Sequence, residues 1–326
     1  MTKLHDKLDE EFISVQRLYV HECYEGKVQK ACSDAGERIA FVVIMEVGEI
    51  HPIVNIKTLV GSNVLWNVRK RRGETMNGYF LTDKGQVRSH NEDAGGIFFN
   101  QHDQFLAVVA DGMGGHRAGD VASNIATTSI HKRWLEAEKI ETPEDAEKWL
   151  NEQIQDINKE VFQHAVENEE CQGMGTTIVA SIGTDEFITV AHIGDSRCYL
   201  ANEFGFKQVT EDHSLVNELV RTGQISTQDA EHHPRKNVLL KALGTEEETS
   251  VDVKTIGWTE DNKLLLCSDG LSNKMSDDEL IEFVEEPLPL EQAAEKLIQF
   301  ANERGGEDNI SLVLVHYDEP MEEGAS

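Results

Sequence analysis

An α+β domain is the architecture that this chain's residue pattern calls for. Short, fully apolar runs such as Phe105–Ala110, Ile178–Ile182 and Leu264–Cys267 read as strands covered on both faces, where no alternation is needed. Ala118–Glu138 and Asp145–Asn168 carry apolar residues at helical spacing. Ile97–Phe99 and Phe105–Ala110 pair naturally as a hairpin across Asn100–Asp103, so the strands are expected to run antiparallel.

Residues 1–75 are the least legible. Glu10–Val20 reads as a short helix and Ile39–Val47 as a strand, with no clear cap or turn chemistry and no catalytic pattern. Arg71-Arg72-Gly73-Glu74 can be encoded by a purine-rich stretch of the kind that forms a bacterial ribosome-binding site, just ahead of Met76. The natural start is therefore expected at Met76.

From Met76 the pattern sharpens. Tyr79–Thr82 is a strand and Lys84-Gly85 a turn. The helix over Ala118–Glu138 places Val121, Ala122, Ile125 and Ala126 on one face. The helix over Asp145–Asn168 repeats Leu150, Ile154, Ile157, Val161 and Ala165, behind an N-cap at Thr142 and a proline at Pro143. Phe187–Ile193 and Cys198–Ala201 are strands on either side of Gly194-Asp195-Ser196-Arg197. Asp212–Gly244 is polar, with a short helix around Leu215–Val220 stopped by Gly223 and another capped by Ser226. Such an insertion between strands suggests a flap over a site. It contains the most basic patch of an acidic domain, His232-His233-Pro234-Arg235-Lys236, read as flap or fold residues rather than catalytic ones. Two helices follow Leu264–Cys267, the second over Leu290–Asn302, and Ile310–Val315 is the last strand.

Charge narrows the function. The 326 residues include 60 acidic and 30 basic ones, a net charge of −30. Residues 1–75 are neutral, with 11 of each sign, so the whole excess falls on 76–326 and marks a boundary near Met76. Nucleic acid and anionic membranes are disfavoured as partners. No apolar run approaches ~18 residues, so no membrane insertion is expected. Five scattered cysteines with no CxxC pair point to a reducing cytoplasm, with Cys198 and Cys267 in the core.

The chemistry lies where strands end. Asp111, Asp195 and Asp269 each follow an apolar run, and Asp308 stands just before one. In an antiparallel sheet, strand ends and neighbouring strand starts share an edge, so these acids can meet at one rim, joined by Glu92 and Asp93. One Asp-Gly is ordinary turn chemistry, but four to six acids in such slots are not. A buried carboxylate calls for a compensating charge. Oxygen ligands without Cys or clustered His suit Mg2+, Mn2+ or Ca2+ over Zn2+, and paired ions suit phosphoryl hydrolysis. His116 follows where a proton donor can face the same site.

The ordered set RSHNED (88–93), DGMGGH (111–116), GMGTT (173–177), GDSR (194–197), DHS (212–214), SDG (268–270) and GGEDN (305–309) resembles the bacterial branch of the type 2C metal-dependent protein Ser/Thr phosphatases, the PPM family. The resemblance runs from Met76 to about Val315. It implies a central β-sandwich of two antiparallel sheets flanked by α-helices, with a dimetal site at one end. It divides the chain into an extension of unknown structure (1–75), a phosphatase domain (76–318) with a flap at about 212–244, and an acidic tail (319–326). It implies two tight Mn2+ or Mg2+ ions and a third, weaker one. Asp111 would bridge the two tight ions; Glu92 and the Gly112 carbonyl would hold one, Asp269 and Asp308 the other. Asp93 would act through water, and Asp195 with Asp269 would hold the third ion. Arg88 would grip the substrate phosphate, a bridging hydroxide would attack it, and His116 would protonate the leaving group. Phosphorylated proteins and a cognate Ser/Thr protein kinase are the implied partners. A phosphatase-like sensor without catalysis and a two-metal nuclease are the rival readings. Filled ligand positions disfavour the first and the net charge the second.

Overall fold

The computed structural model describes residues 27–32, 39–44, 54–55, 66–69, 75–114 and 118–318. Ahead of Met76 it contains β1 (Lys27–Cys32) and β2 (Ile39–Ile44), an antiparallel pair, and two short strands, β3 (Val54–Asn55) and β4 (Trp66–Arg69). The strand expected at Ile39–Val47 is thus present over Ile39–Ile44. The helix expected at Glu10–Val20 and the acidic tail 319–326 lie outside the described residues.

The rest is a sandwich. β5 (Thr75–Asp83), β6 (Asp93–Phe99) and β7 (Phe105–Met113) come first, followed by α1 (Ala118–Leu135) and α2 (Pro143–Glu167). Then follow β8 (Gly175–Thr176), β9 (Ile178–Gly183), β10 (Phe187–Ile193), β11 (Arg197–Asn202) and β12 (Gly205–Gln208). The flap carries α3 (Leu215–Arg221) and α4 (Thr227–Glu231). The chain closes with β13 (Asp252–Gly257), β14 (Lys263–Cys267), α5 (Asp269–Ser272), α6 (Asp277–Glu285), α7 (Leu290–Glu303) and β15 (Ile310–Asp318). One sheet has the order β13-β10-β9-β7-β6, with β8 added to β7. The other has the order β12-β11-β14-β15-β5-β4-β3, and every pairing is antiparallel.

Three apolar layers hold this together. Phe80, Phe105, Val109, Leu266 and Val313 pack between the sheets. Leu106, Val108 and the buried faces of α1 and α2 form the second layer. Leu265, Leu312 and Leu314 meet α5, α6 and α7 in the third. β7 shows why its sequence is apolar throughout: Phe105, Ala107 and Val109 face the other sheet while Leu106 and Val108 face the helices. Each large apolar side chain buried this way contributes about 1.5–3 kcal/mol, more than a typical neutral hydrogen bond at about 0.5–1.5 kcal/mol. At the start of α2, Thr142 accepts a hydrogen bond from the Asp145 N–H, with proline in the first turn, as its sequence requires.

Three connections carry the chain from sheet to sheet at the same end. Residues 84–92 run from β5 to β6, Gly194–Ser196 from β10 to β11, and residues 209–251, which include the flap, from β12 to β13. The C-terminal ends of β5, β7, β10 and β14 and the N-terminal ends of β6, β9, β11 and β15 therefore gather there.

Candidate metal and phosphate site

That end is where the predicted acids lie. Asp93 opens β6 directly opposite Asp111, near the end of β7. Asp195 occupies the β10–β11 crossing. Asp269 is the first residue of α5, and Asp308 lies two residues before β15. The acids thus come from both sheets and the turn between them, not from one sheet edge as the sequence suggested. A helix rather than a plain turn presents Asp269, with Ser268 as its N-cap.

Burial and mutual repulsion dominate their chemistry. Burial, then the fields of Asp93, Asp269, Asp195 and Asp308, drives the Asp111 carboxyl well above the usual range. Burial raises Asp93 to about 7, against hydrogen bonds from Ser311 and Ser268. Burial, helped by Asp269 and Asp212, raises Asp195 to about 8. Asp269 is also raised, by burial and by Asp308, against an opposing pull from the neighbouring Asp111 carboxyl. Glu92 is raised by burial against the pull of His90.

A scaffold of small polar side chains holds the acids in place. The Asp111 N–H donates to Thr177 Oγ1 at 2.9 Å, and the Asp111 carbonyl accepts from the Thr177 N–H at 2.8 Å and Thr176 Oγ1 at 2.9 Å. Thr177 reaches Ser196 at 2.7 Å, next to Asp195. Ser268 donates to Asp93 Oδ2 at 2.9 Å and accepts from the Ser311 N–H at 3.0 Å. Asn309 ties three stretches together: its Oδ1 accepts from the Glu92 N–H at 2.8 Å, and its Nδ2 donates to the Lys84 and His90 carbonyls at 2.9 and 3.0 Å. Gly112 is packed so closely against the Gly119 and Glu92 carbonyls that a Cβ there would collide with both.

Arg88 donates from Nη2 to Asp308 Oδ2 at 2.8 Å and from Nε to the Glu307 carbonyl at 3.3 Å. Glu92 Oε1 lies 3.4 Å from His90 Nε2. Among the described residues, no three His, Cys, Asp or Glu side chains close on one point as a ligand set, for Asp308 leans on Arg88 and Glu92 on His90. The residues nonetheless suit a divalent cation. Asp93 Oδ1 is buried with no hydrogen-bond partner, and the raised carboxyls signal negative charge that lacks compensation. The donors are all oxygen, as Mg2+ and Mn2+ prefer. Of the predicted site residues, His116 lies outside the described residues.

Residues 83–314 match the family model described as protein phosphatase 2C. The chain belongs to the protein phosphatase 2C family. The serine/threonine phosphatase stp of Listeria monocytogenes is 47% identical over 243 residues, covering 74% of this chain and 96% of that protein. The crystal structure of the serine/threonine phosphatase Stp1 from Staphylococcus aureus matches with a TM-score of 0.71 at 39% identity, over 77% of this chain and 98% of that one. The catalytic domain of the serine/threonine protein phosphatase PstP, solved in complex with two manganese ions, matches at 0.66 and 28% identity, over 75% and 99%. The α+β sandwich expected from the 2C-type motifs is the fold observed.

Sequence reasoning missed the supporting residues of this 2C site. Asn309, Thr177 and Ser268 stand inside quoted motifs, yet nothing local to them shows that their partners are Glu92, Asp111 and Asp93. Asp120 was missed outright. It sits in the first turn of α1, where an acid is unremarkable, but its Oδ1 is buried without a hydrogen-bond partner and its charge raises Glu92.

Proposed function

We propose that this protein hydrolyses phosphoserine and phosphothreonine in proteins, reversing a Ser/Thr protein kinase in the cytoplasm, with residues 76–318 as the catalytic unit and 212–244 as its flap. The observation that carries the reading is the gathering of Asp93, Asp111, Asp195 and Asp269 at one end of the sandwich, Asp93 buried and the other three half-buried, with Asp308 and Arg88 beside them. Names of the relatives and the manganese in one of them support it. Among the described residues no helix is long and apolar enough to cross a membrane.

Glu92, the Gly112 carbonyl and Asp111 would hold one ion; Asp111, Asp269 and Asp308 would hold the second, with Asp93 behind them. Bound there, divalent ions neutralise phosphate charge and bring the pKa of a water towards neutrality. Arg88 offers a planar fork to two phosphate oxygens. For that it would have to loosen its bond to Asp308, which would then be free to act as a ligand. His116 would supply the proton to the leaving alkoxide. Thr177 fixes the Asp111 backbone and bonds Ser196, the neighbour of Asp195, so these two positions are set before substrate arrives.

Turnover of matched phosphothreonine, phosphoserine and phosphotyrosine peptides with Mn2+, with and without chelator, tests the assignment. Chelator-sensitive turnover of the first two is the expected result, and metal-independent turnover or a phosphotyrosine preference refutes it. Asp195→Ala should leave two tight ions bound, weaken the third by about 10–100-fold, and lower phosphopeptide turnover in a way that excess Mn2+ does not restore. Calorimetric titration finding three ions at unchanged affinity would remove Asp195 from the ligand set.

A further inference from the structure

The apolar stripe of α2 does not stop at the core. Val161 and Ala165 belong to the core, but Phe162 is half-buried and Val166 is 70% exposed. Phe162, Ala165 and Val166 share one face of the helix, and with Glu169, Gly173 and Thr245 they line a cavity of about 630 Å³. Across Thr245 lies a second cavity, of about 410 Å³, bordered by Glu246, Glu248 and by Leu240, which is 52% exposed. The two make one groove with Thr245 between its halves.

Hydrogen bonds fix its walls. Asn158, buried on α2, accepts from the Gly244 N–H at 2.8 Å and donates to the Glu246 and Glu247 carbonyls at 3.0 and 3.1 Å. Gly244 has φ +81°, and a Cβ there would strike Val161, so this loop lies directly on the helix. Thr176 and Leu243 exchange backbone hydrogen bonds of 3.1 and 2.8 Å, and Thr176 pairs with Gly112 in the β7–β8 ladder. The groove therefore adjoins the strands that carry Gly112 of the metal site. The segments that build it, 162–173 and 242–250, hold six glutamates, all exposed, and no Lys or Arg. Among the described residues none of the six is ion-paired, and Lys241, which borders the second cavity, is committed to Asp252 at 3.3 Å.

Exposed apolar surface among carboxylates that lack a counter-charge is complementary to a chain segment with Lys or Arg on either side of a bulky apolar residue. An acidic segment is repelled there. We propose that this groove docks such a basic segment of the phosphoproteins on which the enzyme acts, at a remove along their chain from the phosphorylated residue. This rests on the phosphatase reading and adds a substrate class to it. Docking raises the local concentration of the phosphorylated residue at the carboxylates and leaves the chemical step alone, so it lowers KM without changing kcat.

Binding is tested by fluorescence anisotropy with a labelled, unphosphorylated Gly-Arg-Arg-Leu-Arg-Gly peptide. Val166→Lys and Glu246→Lys, both at exposed positions outside the metal site, should each weaken binding by about three- to ten-fold, and so should serine in place of the peptide's leucine. Kinetics then use the same segment joined to a phosphothreonine peptide through Gly/Ser linkers of about 6, 12 and 18 residues. At one or more lengths KM should fall by about ten-fold against a Gly-Glu-Glu-Leu-Glu-Gly control, with kcat unchanged. Val166→Lys should erase that gain and leave turnover of the plain phosphothreonine peptide as in wild type. Equal binding by wild type and variants, binding that follows charge alone and ignores the leucine, or equal KM at every linker length overturns the proposal. If no peptide is hydrolysed with Mn2+, the phosphatase reading fails instead, and the anisotropy measurements decide the groove by themselves.

Discussion

Asp111→Asn is expected to cut phosphopeptide turnover by more than about a hundred-fold with Mn2+ present, beyond the range for losing an outer partner of a metal ligand. Asp111 stands opposite Asp93 across β6 and β7 and neighbours the Asp269 carboxyl, so both proposed ions would depend on it. The fold should survive, because the substitution removes one charge from a crowded set of acids. In the metal-free protein Asp93 is held at about 7 and Asp195 at about 8, against about 3.9 for an unfolded Asp. The folded state therefore binds more protons across that interval, and stability falls as pH rises from about 4 to about 8. Metal-free Asp111→Asn should accordingly melt above the metal-free wild type at pH 8 and close to it at pH 5. Turnover above about a tenth of wild type rejects the bridging role, and a lower melting temperature at pH 8 rejects the repulsion account.

His116→Ala should slow phosphopeptide turnover by ~10²–10⁴-fold, the usual worth of a general acid. The alkoxide leaving a phosphoserine is strongly basic and needs a proton as the P–O bond breaks, whereas nitrophenolate departs without one. Nitrophenyl phosphate turnover should therefore fall much less. Arg88→Ala should instead raise KM for both substrates, since both present the same phosphate. The ratio of the two activities in His116→Ala is the decisive measurement, and equal slowing of both substrates assigns the proton to another donor.

Much of the fold was readable from local pattern. Phe187–Ile193 is a strand with the predicted limits, and α2 and α4 begin directly behind the predicted capping residues Thr142 and Ser226. The hairpin across Asn100–Asp103 pairs Phe99 with Phe105 as expected. Missed were β12 and β13, whose exposed and half-exposed residues give no apolar run, and α5, a single turn too short for any periodicity. Strand ends were underestimated at β6 and β7 because Asp93 and Asp111 look like turn residues, yet both are paired in the ladder.

Asp111, Asp195, Asp269 and Asp308 could be picked out from the chain alone, because a carboxylate abutting an apolar run is costly unless a cation compensates it. Composition separated an acidic stretch from a neutral leader, and the ordered motifs were enough to suggest the family. The tertiary structure decided which acids come together, since three connections cross between the sheets at that end and no local pattern encodes the crossing. It also decided the support, because the Asn309, Thr177 and Ser268 hydrogen bonds span 217, 66 and 175 residues of chain.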